Sequence, residues 1–392
     1  MADNYNFTRV FAAACVGLLI FGIVGVTLGS ILPSLISRFQ LNEMRSGTLA
    51  SLLPLGILMG SLVFGPIVDR YSYRYLFIIC LFLIVAGLEG MALTGSLQFL
   101  QLSVFMIGFG GGALNGGTNA LVSDISIEKP ERRSANLSLL GIFFGIGALG
   151  MPFLMGFLLE RFSYEIILRA IGLALALPIL YFVITTFPKP KQSQRFPIKE
   201  GLKLARDSKL ILLGLFLFFQ GGIEGILVNW ITLYLQTEGN FLQTDALFAL
   251  SMFGLSITLT RMLLVILLKH VRPYIVLSVS VFLIFCGIVL FMIATSNSEN
   301  LMGVLLLGAG VSAGFPLILG YVGNLYTRLM GTAFSLVFVI ALSGNILFNF
   351  LMGVIYHGYG IDRLPVTLMI CLVCMAVMLV MALRKISDST NI

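Results

Sequence analysis

Apolar positions along the chain run on in blocks of about 20 residues or more, and polar residues collect in the short gaps between them. The blocks fall near 9–37, 46–68, 76–95, 101–123, 137–159, 166–187, 210–236, 245–268, 274–294, 301–326, 332–356 and 366–383. A hydrocarbon core about 30 Å thick requires roughly 20 helical residues at 1.5 Å each. The pattern therefore predicts twelve transmembrane helices. The first block follows "MADNYNFTR" with no small-residue cleavage site before polar sequence, so a retained helix is expected rather than a removed signal peptide.

Composition strengthens this picture. The chain is 58% hydrophobic and 10% charged, against about 25% charged in a soluble domain. The expected fold class is an all-α integral membrane protein. Basic residues then orient it. With the N-terminus inside, eighteen Lys and Arg fall in inner segments and only Arg38, Arg45, Arg161 and Arg363 in outer ones. Both termini are thus expected in the cytoplasm, and the expected location is a bacterial inner (plasma) membrane. The formal charge of +7 is accounted for by topology and gives no reason to expect nucleic acid.

Cys15, Cys80, Cys286, Cys371 and Cys374 all lie within apolar blocks, where they serve as small hydrophobes. His270 and His357 stand at loop edges without a second ligand at metal spacing. No catalytic residue, metal site or cofactor is expected, and so no enzyme.

The two halves of the chain repeat. "LSLLGIFFGIGALGMPFLMG" (137–156) aligns with "FSLVFVIALSGNILFNFLMG" (334–353) at an offset of 197, matching Ser138 with Ser335, Gly147 with Gly344 and "FLMG" with itself. The long polar stretch 188–209 lies between the sixth and seventh blocks. Two pseudo-symmetric six-helix bundles, 1–187 and 210–392, joined by a cytoplasmic linker at 188–209, fit this layout.

Between the second and third blocks stands "GPIVDRYSYR" (65–74). It resembles the loop motif of the major facilitator superfamily, G-x-x-x-D-R-x-G-R-R/K, through Gly65, Asp69, Arg70 and Arg74, with Ser72 and Tyr73 departing from it. The resemblance implies a charge cluster that latches the cytoplasmic helix ends. Four further stretches resemble the fucose–galactose–proton symporter branch: "GFGGGALNGGTNALVSD" (108–124), "FFQGGIEGILVNWITLYL" (218–235), "LSITLTRMLL" (255–264) and "LLGAGVSAGFPLILGYV" (306–322). Proton-coupled members of that branch carry acids in helices 1 and 4. Here the first block has no acid, and Asn115 stands four residues before Asn119 where the second acid belongs. An amide releases no proton, so those coupling roles do not carry over.

One acid remains conspicuous. Glu224 lies 15 residues past Lys209, about 22 Å into the seventh span, where an ionised carboxylate costs about 3 kcal/mol. It is expected to face a polar cavity or to hold a proton, as an ion-coupling or substrate-binding group, or else to be a buried structural acid. Glu89, 15 residues from Arg74, is its rival. Arg261 is a candidate partner for either acid or for Asp124, or a side chain that snorkels inward; it joins the expected conformational latch.

Asn115, Asn119, Gln220, Asn229, Asn345 and Asn349 supply amides, which both donate to and accept from hydroxyls. Trp230 adds an aromatic face or an interfacial anchor, and Asn345 with Asn349 can also bond between helices. These seven are the expected substrate contacts. The expectation is a monomeric secondary transporter of a small polar solute, chiefly a sugar, coupled to H+ or Na+ across the lipid bilayer by alternating access. An efflux transporter for amphipathic or drug-like compounds is the alternative.

Overall fold

The computed structural model describes residues 5–126, 130–189, 204, 206–326 and 329–390; the side chains of Asp69 and of some residues near 130–138, 330–331 and 387–390 lie outside that description. Most of the expected linker at 188–209 also lies outside the described residues.

The first nine spans are α1 (Phe7–Phe39), α2 (Glu43–Tyr71), α3 (Tyr73–Leu93), α4 (Leu97–Ile125), α5 (Pro130–Leu158), α6 (Tyr164–Ile184), α7 (Ser208–Thr237), α8 (Gln243–Leu267) and α9 (Pro273–Ile293). The tenth is divided into α10 (Asn297–Ser312) and α11 (Gly314–Leu325). The last two are α12 (Met330–Tyr359) and α13 (Leu364–Thr390). Among the described residues, twelve helical segments are long and apolar enough to cross a membrane.

Two differences from the hydrophobic pattern have plain causes. Helix α5 starts seven residues before its apolar block, because Pro130 suits a first helical position and the polar residues after it tolerate helix. The tenth block, apolar throughout, is broken at Ala313. Pro316 has no N–H to give the Ser312 carbonyl four residues earlier, so that rung of the ladder is missing at the break.

The chain divides into two compact units, residues 1–41 with 52–195 and residues 42–51 with 196–392. In the first, α1 packs on α4 and α5, and α3 on α4 and α6. In the second, α7 packs chiefly on α12 and α13, α9 on α10, and α8 on α10. The units echo one another in detail. Gly147 of α5 sits where a Cβ would overlap the Leu19 carbonyl oxygen of α1. Gly344 of α12, 197 residues later, sits likewise against the Phe218 carbonyl oxygen of α7. Without a hydrophobic force between helices in lipid, such backbone approach supplies the packing. The second unit also takes in the start of α2, where Gly47 meets Gly353 of α12 and Glu43 Oε2 lies 3.0 Å from His357 Nδ1.

Large apolar side chains point outward from α3, α6, α9 and α13, among them Phe82, Leu173, Phe282 and Val373, each more than half exposed. A soluble protein avoids such surfaces. Here they are the lipid-facing sides.

Candidate functional site

Glu224 lies 16 residues into α7 and 13 from its far end, about 24 Å and 20 Å from the two termini at the usual rise. Its neighbours Ile223, Gly225, Ile226 and Leu227 are buried, while Gly221, Glu224 and Val228 keep part of their surface open. That spacing puts the three on one stripe of the helix. Among the described residues no hydrogen-bond donor reaches the Glu224 carboxyl, and the charged group acting on it is Arg261 of α8. Among the described residues the acid makes no ion pair within 4 Å.

Beside this stripe, α7 and α12 meet along a seam of amides. Asn229 Nδ2 and Trp230 Nε1 both donate to Asn349 Oδ1 at 3.1 Å. Asn349 Nδ2 in turn donates to Asn345 Oδ1 at 2.8 Å and to the Asn345 carbonyl at 2.9 Å. Gly225 makes room for both asparagines, since a Cβ there would overlap the Asn345 side-chain oxygen. Asn229, Trp230 and Asn349 are buried, and Asn345 is the partly exposed end of the chain. Trp230 also stands edge-on to Tyr356, ring centroids 6.2 Å apart. Its ring is thus enclosed between α7 and α12, with no face left open.

The divided tenth span adjoins the same region. A helix end leaves its last four carbonyls without intrahelical partners. At the end of α10 three of them are met by side chains: Ser312 Oγ donates to Ala309 O at 2.7 Å, Gln220 Nε2 to Val311 O at 2.8 Å, and Arg261 Nε to Ser312 O at 3.4 Å. Gln220 is therefore a buried brace between α7 and α10, packed where a Cβ on Gly314 would overlap its Oε1. Arg261 thus reaches the break from α8 through its Nε.

In the first unit, Asn115 and Asn119 share a face of α4. Asn119 is exposed, and its Nδ2 donates to both the Asn115 carbonyl (2.9 Å) and Asn115 Oδ1 (3.0 Å). Glu89 lies four residues before the end of α3, about 6 Å from it, and its Oε2 is 3.5 Å from Arg169 Nε of α6. The two acids start at similar depth from one side, but α3 is nine residues shorter than α7, so only Glu224 is central. Asp124 Oδ2 accepts from the Tyr73 hydroxyl at 2.6 Å.

Of the motif residues, Gly65 is buried in α2, Arg70 lies over the Tyr71 ring at 5.2 Å, and Arg74 Nη2 donates to the Thr185 carbonyl at 2.9 Å, tying α3 to the end of α6. The side chain of Asp69 lies outside the described residues. Sequence reasoning did not find the cluster in which Arg38 Nη1 meets both the Tyr164 hydroxyl (2.8 Å) and Glu165 Oε1 (2.5 Å). Nothing in the spacing of residues 126 and 127 apart would have signalled it.

Twelve spans among the described residues, in two units built on matching glycine contacts, make this a polytopic membrane protein. The profile of the Major Facilitator Superfamily matches residues 13–349, and the chain belongs to that superfamily. It is 24% identical over 356 residues to the glucose/mannose transporter GlcP of Bacillus subtilis, covering 85% of this chain and 84% of that one. It is 29% identical over 282 residues to the 3-(3-hydroxy-phenyl)propionate transporter of Escherichia coli, covering 69% and 66%. In fold it is similar to the nucleoside transporter NupG, with TM-score 0.75 at 16% identity over 96% of this chain and 98% of that one. A D-xylose–proton symporter superposes with TM-score 0.74 at 14% identity, over 94% and 97%.

Proposed function

We propose that this protein is a secondary-active transporter of a small polar solute, a sugar, driven by a proton or sodium gradient through alternating access of its two six-helix halves, 1–187 and 210–392. The observation that carries the reading is Glu224: an acid mid-span, on a partly open stripe of α7 and without a hydrogen-bond partner among the described residues, beside a chain of amides. An acid with no fixed partner is free to exchange a proton or meet a cation, and intramembrane acids of this kind mark ion pathways. Asn345, Asn115 and Asn119 offer amide groups to sugar hydroxyls, while Gln220, Asn229, Asn349 and Trp230 hold α7 against α10 and α12. Support for a sugar comes from the glucose/mannose transporter among the relatives and from the stretches resembling the fucose–galactose–proton symporter branch.

In this reading Gly65, Asp69, Arg70 and Arg74 form the cytoplasmic latch. The protein works as a monomer in a bacterial inner membrane with both termini in the cytoplasm. A second reading, transport of an aromatic carboxylate, is favoured by the phenylpropionate-transporting relative and by Arg261 beside the site.

The test is uptake of a panel of hexoses, pentoses and aromatic acids into proteoliposomes, with proton and sodium gradients imposed separately. Accumulation of a sugar under one gradient is expected, and E224Q should abolish that accumulation while leaving counterflow exchange. Gradient-driven accumulation by E224Q would remove Glu224 from the coupling step.

A further inference from the structure

The apolar outward side of α3 and α6 is interrupted by a charge pair. On α6 the outward stripe runs through Ile166, Leu173, Leu177 and Leu180, and Arg169 falls within it at helical spacing, its side chain 56% exposed. On α3 Glu89 stands seven residues after Phe82 and four before Leu93, both more than half exposed. Each helix is 21 residues long, about 32 Å, which matches the hydrocarbon core and leaves no spare length. Arg169 therefore lies five residues, about 8 Å, inside the boundary where α3 ends and α6 begins. A helical side chain leans toward the N-terminus of its helix. The Arg169 stem thus leads back to that boundary, where lipid headgroups lie.

The pair is loosely joined. Arg169 Nε is 3.5 Å from Glu89 Oε2, against about 2.7–2.9 Å for a charge-assisted bond. Among the described residues, Nη1 and Nη2 of Arg169 have no hydrogen bond, and neither has Glu89 Oε1, which rests over Gly172, 3.1 Å from where a Cβ would stand. Arg38, at the same end, is taken up by Tyr164, Glu165 and the Thr94 carbonyl. A charged group left unmet against hydrocarbon costs about 3 kcal/mol or more.

We propose that Glu89 and Arg169 form a binding site for a zwitterionic phospholipid whose headgroup carries a protonated primary amine, a phosphatidylethanolamine. The fork of Nη1 and Nη2 takes the phosphodiester oxygens, and Glu89 Oε1 accepts from the ammonium. Two opposite charges of the protein thereby meet two opposite charges of the lipid, while the acyl chains lie along Phe82, Leu173 and Leu177. An anionic headgroup suits the pair less, because its phosphate gains Arg169 but is repelled by the Glu89 carboxylate. A quaternary amine brings the charge without an N–H to donate. With the N-terminus in the cytoplasm, as proposed above, the lipid belongs to the outer leaflet. The inference does not depend on Glu224 or on the solute, and it gives Glu89 a role outside ion coupling.

The test is native mass spectrometry of the purified full-length protein for wild type, E89Q, R169Q and R169K. Each is offered phosphatidylethanolamine, phosphatidylcholine and phosphatidylglycerol of identical chains in equal amounts. Lipids held elsewhere on the surface are retained alike by all four proteins and cancel in the comparison. Wild type should retain phosphatidylethanolamine over each of the others by about tenfold, the effect of one hydrogen bond to a charged group. E89Q leaves a free arginine, so it should lose that preference and hold phosphatidylglycerol at least as well. R169Q should lose both lipids at this site. R169K keeps the charge without the fork, serves where R169Q folds poorly, and should fall between wild type and R169Q. The same lipid proportions in wild type, E89Q and R169Q overturn the proposal, since the pair then meets only water. A wild-type preference for phosphatidylglycerol overturns it as well, leaving a plain anion site at Arg169. So does a lipid-free dimer that R169Q dissociates, because a second copy then covers the pair.

Discussion

The indole N–H of Trp230 donates to Asn349 Oδ1 at 3.1 Å, an oxygen that also accepts from Asn229 Nδ2. One side-chain carbonyl of α12 thereby holds two donors of α7, and the ring it fixes is fully buried. Trp230 is the one tryptophan in the chain, so its fluorescence reports on this seam alone. Wild-type emission is expected to be weakly quenched by acrylamide. N349A leaves two buried donors unmet, at about 1–3 kcal/mol each, whereas W230F removes a single bond of about 1 kcal/mol. N349A should therefore lower the melting temperature more than W230F and increase quenching. A wild-type tryptophan readily quenched from water would contradict the seam.

The glycine contacts of the two units give a paired prediction. Alanine at Gly147 or Gly344 puts a methyl group into the backbone of α1 or α7, at a cost of about 1–3 kcal/mol for overpacking. Gly150, on the same helix as Gly147, has open space where a Cβ would stand. G150A should be neutral or slightly stabilising, because alanine has the higher helix propensity by about 1 kcal/mol. Thermal unfolding in detergent compares the three variants. Equal melting temperatures for G344A and G150A would mean that α7 and α12 do not approach so closely.

Glu89 and Glu224 separate under the same substitution. The Glu89–Arg169 pair is 3.5 Å long and half exposed on the arginine side, the kind of ion pair worth about 0–1 kcal/mol. E89Q is expected to keep gradient-driven uptake and to lose no more stability than that, whereas E224Q loses the uptake. If E89Q uncouples transport and E224Q does not, the coupling acid lies in α3.

The twelve spans were legible because length and hydrophobicity alone decide whether a segment can cross lipid. The four-residue spacing of Asn345 and Asn349 likewise placed them on one face. The partners were not legible. Arg261 was weighed against acids, and it is the charged group acting on Glu224, yet its hydrogen bond goes to a backbone carbonyl that Pro316 leaves without its usual N–H. The proline was the signal, hidden within an unbroken apolar run. For Trp230 the choice lay between open space and an interface. Burial against Tyr356 depends on how α7 and α12 rotate about each other, which the Gly225 contact fixes and composition does not.

Asn345 and Asn229 belong to one amide chain but should fail differently. Asn345 is partly exposed, and removing its side chain leaves Asn349 Nδ2 still bonded to the Asn345 backbone carbonyl at 2.9 Å. The seam should therefore survive N345A, and what is lost is a polar group open to solute. An uptake KM about tenfold higher, with kcat within about twofold, is the expected signature of a binding contact worth ~1.4 kcal/mol. Asn229 is buried, and N229A takes a donor from Asn349 inside the packed seam. Its effect should fall on the melting temperature, with KM changed little. If N345A lowers stability as far as N229A and leaves KM where it was, the exposed amide only joins helices, and the solute is held elsewhere.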